Sequence, residues 1–119
     1  MDLVIDWLPR VAGVIVLLIG VICFFKPQLI MDSCGIKMTN NMALSEVRGV
    51  FGGLNIGSAV ASFYFADPTV FAALGFAWTG VAAARFYSIA VDGSTIKESI
   101  APIILDGSVA LMFFSGAYL

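Results

Sequence analysis

Histidine is absent from this 119-residue chain. Its absence removes the commonest general base and the commonest metal ligand. Charge is scarce as well. Lysine and arginine together number 6, aspartate and glutamate 8, and the charged types make up 12% of the sequence. That is about half the soluble-protein norm. A net charge of −2 provides no basic field to attract nucleic acid. Cysteine is limited to Cys23 and Cys34, with no Cys-x-x-Cys spacing. Two thiols without an imidazole do not make a zinc site, so neither metal nor cofactor is expected. Two free thiols are expected in place of a disulfide, because no framework pattern surrounds them.

What the chain has instead is apolar surface, at 61% of residues. A chain this short has a high surface-to-volume ratio and needs far more polar surface to dissolve. A water-soluble monomer is excluded, and so is intrinsic disorder. An integral membrane protein remains, with the lipid bilayer as its first partner.

Charge-free runs at 11–25, 49–66, 68–84 and 107–119 mark the spans. Each reaches the roughly 20 residues needed to cross once one ionisable residue near an end is admitted. The pattern predicts helices over 3–25, 43–66, 69–91 and 98–118. A closed barrel is excluded because these segments do not alternate polar and apolar residues. The fold class is therefore an all-α, four-transmembrane-helix bundle with short loops, forming one domain over 1–119. Asp67-Pro68 reads as a tight turn. Asp92-Gly93 reads as a glycine helix end, followed by a capping box from Ser94 or Thr95 to Glu98. The one long loop begins at Lys26-Pro27. Its 27–34 segment mixes apolar and polar residues, as a short interfacial helix or an irregular loop would. The N-terminus carries Asp2 and Asp6 with no small-x-small cleavage site, so helix 1 is expected to be retained.

Lys26, Lys37 and Lys97 lie in the first and third loops, and Arg48 and Arg85 lie at helix ends on that side. Arg10 is the opposing cation. The positive-inside rule then puts those loops in the cytoplasm and both termini outside. Trp7, Phe63, Tyr64, Phe65 and Tyr118 fall at the outer boundary, and Phe24, Phe25, Phe86 and Tyr87 at the inner one. Together they read as an aromatic belt. Trp78, mid-helix, is expected to face lipid or a partner.

Ionisable groups inside a span cost at least ~2.5–3.5 kcal/mol each at its centre. Arg48, Arg85 and Asp106 fall at a similar depth, ~8–12 Å in at 1.5 Å per residue. Glu46, Asp92 and Glu98 lie at the mouth of that zone. Two readings stay open. One is a structural ion pair between Asp106 and an arginine, Arg48 being favoured over Arg85. The other is a polar pocket for an anionic headgroup, a quinone or a proton relay. Both arginines could also snorkel to the interface.

Helix 2 carries Gly49, Gly53, Gly57 and Ala61 at four-residue spacing. Such a small-residue stripe permits close helix approach, which drives association in lipid. It makes helix 2 the central helix or an oligomer contact. An adjacent line of Arg48, Gly52, Asn55, Ala59 and Ser62 is small and polar. No phosphate loop, nucleophile elbow or metal cluster occurs, so no catalytic residue is assigned.

Several stretches carry a resemblance: Cys34-Gly35-Ile36, then Glu46-Val47-Arg48-Gly49-Val50-Phe51-Gly52-Gly53-Leu54 with Gly57, then Ala84-Arg85-Phe86-Tyr87-Ser88 with Asp92-Gly93. In these the chain resembles a family of small bacterial four-helix membrane proteins defined by a domain of unknown function. The matching positions are Glu46, Arg48, Gly52, Gly53, Arg85, Asp92 and Gly93, and Asp106 lies outside them. The resemblance implies the fold and a bacterial inner membrane, and no activity. The function expected is a non-enzymatic structural or accessory subunit packing through helix 2, with other membrane subunits or itself as partner. The alternative is a ligand- or proton-handling protein using Arg48, Arg85 and Asp106.

Overall fold

A computed structural model describes residues 2–37, 40–93 and 95–118. All regular structure among them is helical. Helix α1 covers Asp2–Phe25. Helix α2, Pro27–Cys34, starts on a proline, where the missing N–H has no intrahelical partner to lose. It ends on Gly35 at φ 72°, whose N–H returns to the last turn. The 27–34 segment is thus a helix and not an irregular loop.

The next helix runs without a break from 41 to 65 in three pieces. These are α3 (Asn41–Glu46), a π-helical segment (Val47–Gly53) and α4 (Leu54–Phe65). Asn40 opens it, its Oδ1 accepting from the Ala43 N–H at 2.9 Å, so the helix starts earlier than 43. Helix α5, Pro68–Val91, is capped by Asp67, which accepts from Thr69 N–H at 2.9 Å. Ala66 before it has φ 45°, a left-handed conformation that breaks the helix at 65. Gly93 follows α5 at φ 78°, which suits a residue without Cβ. Helix α6 covers Ile96–Tyr118. The expected capping box involves Ser94 and the Glu98 side chain, which lie outside the described residues.

Among the described residues, three helices are long and apolar enough to cross a membrane: Asp6–Phe25 (20 residues), Pro68–Val91 (24) and Ser99–Tyr118 (20). Three of the four expected spans are thus present as single long helices. The run 41–65 is continuous, but the π-helical segment divides it, and it carries Glu46, Arg48 and Asn55.

The chain forms two compact units. In Gly13–Tyr64, α1 meets the 41–65 run through glycines. A Cβ on Gly52 would lie 2.8 Å from the Phe24 backbone nitrogen, and one on Gly20 would lie 2.8 Å from that of Ile56. A Cβ on Gly13 would lie 2.9 Å from Ser62 Oγ. Backbones approach this closely only where no side chain separates them, the usual basis of helix association in lipid.

The other unit comprises residues 1–12 and 65–119. Here α5 and α6 pack together. Phe71 and Phe113 stack at 6.4 Å between centroids, and Phe76 meets Phe114 edge-on at 5.1 Å, the geometries favoured by ring quadrupoles. Gly75 gives room for the Phe114 ring, and Gly116 for Phe71 and Pro9. The inward line of α6, Ile103, Asp106, Val109, Ala110 and Phe113, is buried, at the three- and four-residue spacing of one helix face. Trp78, expected to face lipid or a partner, is also buried, at 9% exposure. Its spacing from Phe71 and Gly75 places it on the face that α5 buries.

Candidate functional site

Asp106 is the one charged residue buried among the described residues, at 2% exposure. It sits in the apolar line of α6 just described, so its carboxylate has lost water. Arg85 supplies the compensation. Its Nε donates to Asp106 Oδ2 in a charged hydrogen bond, the one ion pair among the described residues. Spacing along α5 puts Arg85 on the face of Phe71, Gly75 and Trp78, which explains how it reaches α6. The arginine that pairs with Asp106 is therefore Arg85, and the preference for Arg48 is corrected. Depth along a helix was the same for both arginines, so depth could not separate them. Facing direction does.

The pair is asymmetric. The Arg85 side chain is 37% exposed against 2% for Asp106. Among the described residues only Nε is engaged, so the terminal nitrogens can reach the helix surface. One turn further along α5, Ser88 donates to Asp92 Oδ2 at 3.0 Å, and Asp92 is exposed. Asp92 closes the helix end and takes no part in the ion pair.

Arg48 is used differently, within the Gly13–Tyr64 unit. Its Nη1 donates to the backbone carbonyl of Phe24. That carbonyl lies in the last turn of α1, where the helix has no N–H to offer it. A guanidinium there satisfies an orphan acceptor and complements the negative end of the helix dipole. Arg48 lies in the π-helical segment together with Gly49, Gly52 and Gly53. Such segments replace the usual hydrogen-bond ring by a wider one and occur often at functional sites. Beside it lies a cleft of about 410 Å³ lined by Phe24, Asn41, Leu44, Ser45, Arg48 and Gly49.

The other expected residues have plainer places. Asn55 Nδ2 donates to Phe51 O at 2.7 Å, back along its own helix. Glu46 is exposed and makes no ion pair among the described residues. Gly49 and Gly57 have open space where a Cβ would be, and Gly53 has only the Arg48 carbonyl at 3.8 Å. The stripe through Ala61 is thus not the face that meets α1. The adjacent line is: Gly52, Ala59 and Ser62 are buried. The matching glycines of α1, Gly13 and Gly20, went unnoticed in the sequence. Their seven-residue spacing, which keeps a helix face, was the available signal. Cys23 and Cys34 are both free, the first buried and the second exposed.

Among the described residues these features define an all-helical protein with three helices long and apolar enough to cross a membrane and one charged pair. The chain belongs to the family of the domain of unknown function DUF4345, whose pattern matches residues 4–105. No curated protein and no solved structure matches it significantly.

Proposed function

We propose that the protein is an integral protein of a bacterial inner membrane that serves as a non-enzymatic structural or accessory subunit. In this reading the 41–65 run is a fourth crossing, because it is continuous and as long as α1 and α5. The observation that carries the reading is the contrast along that run. Gly52 is filled by the Phe24 backbone, whereas Gly49 and Gly57 face open space. One face is spent inside the chain, and the small-residue face is left for a neighbouring transmembrane helix, from another subunit or a second copy. The Arg85–Asp106 pair holds α5 to α6 and needs no substrate to explain it.

Purification in mild detergent tests this directly. A stoichiometric partner or a defined oligomer is the expected result, lost on Gly57→Leu. A clean monomer that stays monomeric at high concentration rejects the subunit reading.

Topology is a separate prediction. Lys26, Lys37 and Lys97 favour cytoplasmic first and third loops. A reporter fused to the C-terminus should read as periplasmic, and one inserted within 37–41 as cytoplasmic. The reverse pattern would reject the use made of the lysine bias.

A further inference from the structure

Among the described residues no carboxylate balances the charge of Arg48. Its guanidinium carries five N–H donors, and Nη1 is engaged with the Phe24 carbonyl. A carbonyl satisfies a hydrogen bond and leaves the formal charge uncompensated. Among the described residues no carboxylate pairs with Arg48, since the ion pair there belongs to Arg85 and Asp106. In the membrane reading given above, on which this inference rests, an uncompensated cation in a helix is costly and calls for a partner.

The cleft beside Arg48 points to what that partner is. Asn41 and Ser45 add an amide and a hydroxyl to its lining, Leu44 and Phe24 add apolar walls, and Gly49 adds none of its own bulk. No acidic residue lines it. The hydrogen bond to Phe24 fixes one edge of the guanidinium against α1, and among the described residues its other donors have no partner. A planar guanidinium with free donors is the side chain best suited to phosphate oxygens. The volume of about 410 Å³ lies in the ~300–1,000 Å³ range of small-ligand sites.

We propose that this cleft binds a phosphate anion, and that its source is the headgroup of an anionic phospholipid. The phosphate accepts from Arg48, with Ser45 and Asn41 as neutral donors. Leu44 and Phe24 line the start of the acyl chains. The site is separate in kind from the Arg85–Asp106 pair, where the arginine already has its carboxylate.

The test is lipid binding to the full-length protein in detergent, measured by native mass spectrometry. Phosphatidylglycerol is compared with phosphatidylcholine of the same chains, with inorganic phosphate as competitor. One phosphatidylglycerol should bind in preference to phosphatidylcholine. Arg48→Gln should weaken it about tenfold or more, the effect of losing one charge-assisted hydrogen bond. That variant also loses the contact with Phe24 and could unfold. Ser45→Leu is therefore the second variant, because Ser45 is exposed, lies off the Gly49–Gly57 stripe and lines the cleft, which the larger side chain fills. It should lose binding with lipid-free thermal stability unchanged. Displacement by inorganic phosphate at equal occupancy would keep the phosphate site and make free phosphate its source. Equal binding of both lipids, no binding at all, or wild-type binding by Ser45→Leu each overturns the proposal. Failure of the subunit reading is seen elsewhere, in the oligomeric state. Failure of the membrane reading would appear as a chain that stays dispersed without detergent.

Discussion

Arg85→Leu is expected to destabilise the protein by ~3–5 kcal/mol, the usual cost of breaking a buried ion pair from one side. The effect of Asp106→Leu should be smaller, and the difference follows from exposure. Removing Arg85 strands a carboxylate that is 2% exposed in an apolar face. It must then be neutralised by a proton or endure burial without a partner. Removing Asp106 leaves an arginine whose side chain is 37% exposed and whose long stem can carry the guanidinium to water. The double variant Arg85→Leu/Asp106→Leu should recover much of the loss, because two apolar side chains can pack where the pair stood. Asp106→Asn, which keeps an acceptor for Nε, should fall between wild type and Asp106→Leu. Denaturant titration of the purified protein gives all four values. Additive losses across the cycle would show that the two residues are not coupled. A larger loss for Asp106→Leu than for Arg85→Leu would contradict the asymmetry.

The helices themselves were legible in the sequence, because they follow from charge-free runs and from punctuation by proline and glycine. Pro27, Asp67 with Pro68, and Gly93 each act at an end of an observed helix. Burial of Asp106 was also legible, since its apolar neighbours leave it nowhere else to go. What stayed hidden depended on direction around a helix, or on the backbone. The π-helical segment over Val47–Gly53 changes which residues share a face, and residue types alone do not announce it. Counting by fours from Gly49 picks out a face that does not meet α1, whereas Gly52 on the adjacent line does. Arg48 was assigned a carboxylate because side chains are what a sequence displays. Its actual partner is the carbonyl of Phe24, an acceptor that every residue carries and no sequence marks. Trp78 stayed open between lipid and a partner for a related reason: one large aromatic gives no direction until Phe71 and Gly75 are seen to lie on the same face.

The same substitution at two glycines of one helical run should have opposite signs. Gly52→Ala is expected to cost ~1–3 kcal/mol, the range for inserting a methyl group into a packed site. The new Cβ would lie 2.8 Å from the Phe24 nitrogen and 2.9 Å from its Cα. Those atoms belong to a helix backbone, which cannot turn aside as a side-chain tip can. Relief requires α1 to move away, and movement there also opens the contact where Gly20 meets Ile56 and the Gly52 carbonyl. Lost dispersion along that line adds to the strain, because in lipid no hydrophobic gain restores the association. Gly57→Ala meets no atom within 4 Å. It removes the conformational freedom of glycine from a helix interior, a gain of roughly 0.5–1 kcal/mol. Thermal unfolding of the two variants beside wild type, at a dilution that keeps each monomeric, separates these outcomes. Equal and small shifts would mean that Gly52 does not hold the contact with α1. A loss at Gly57 that appears only at concentrations supporting assembly would place the second helix against the open face.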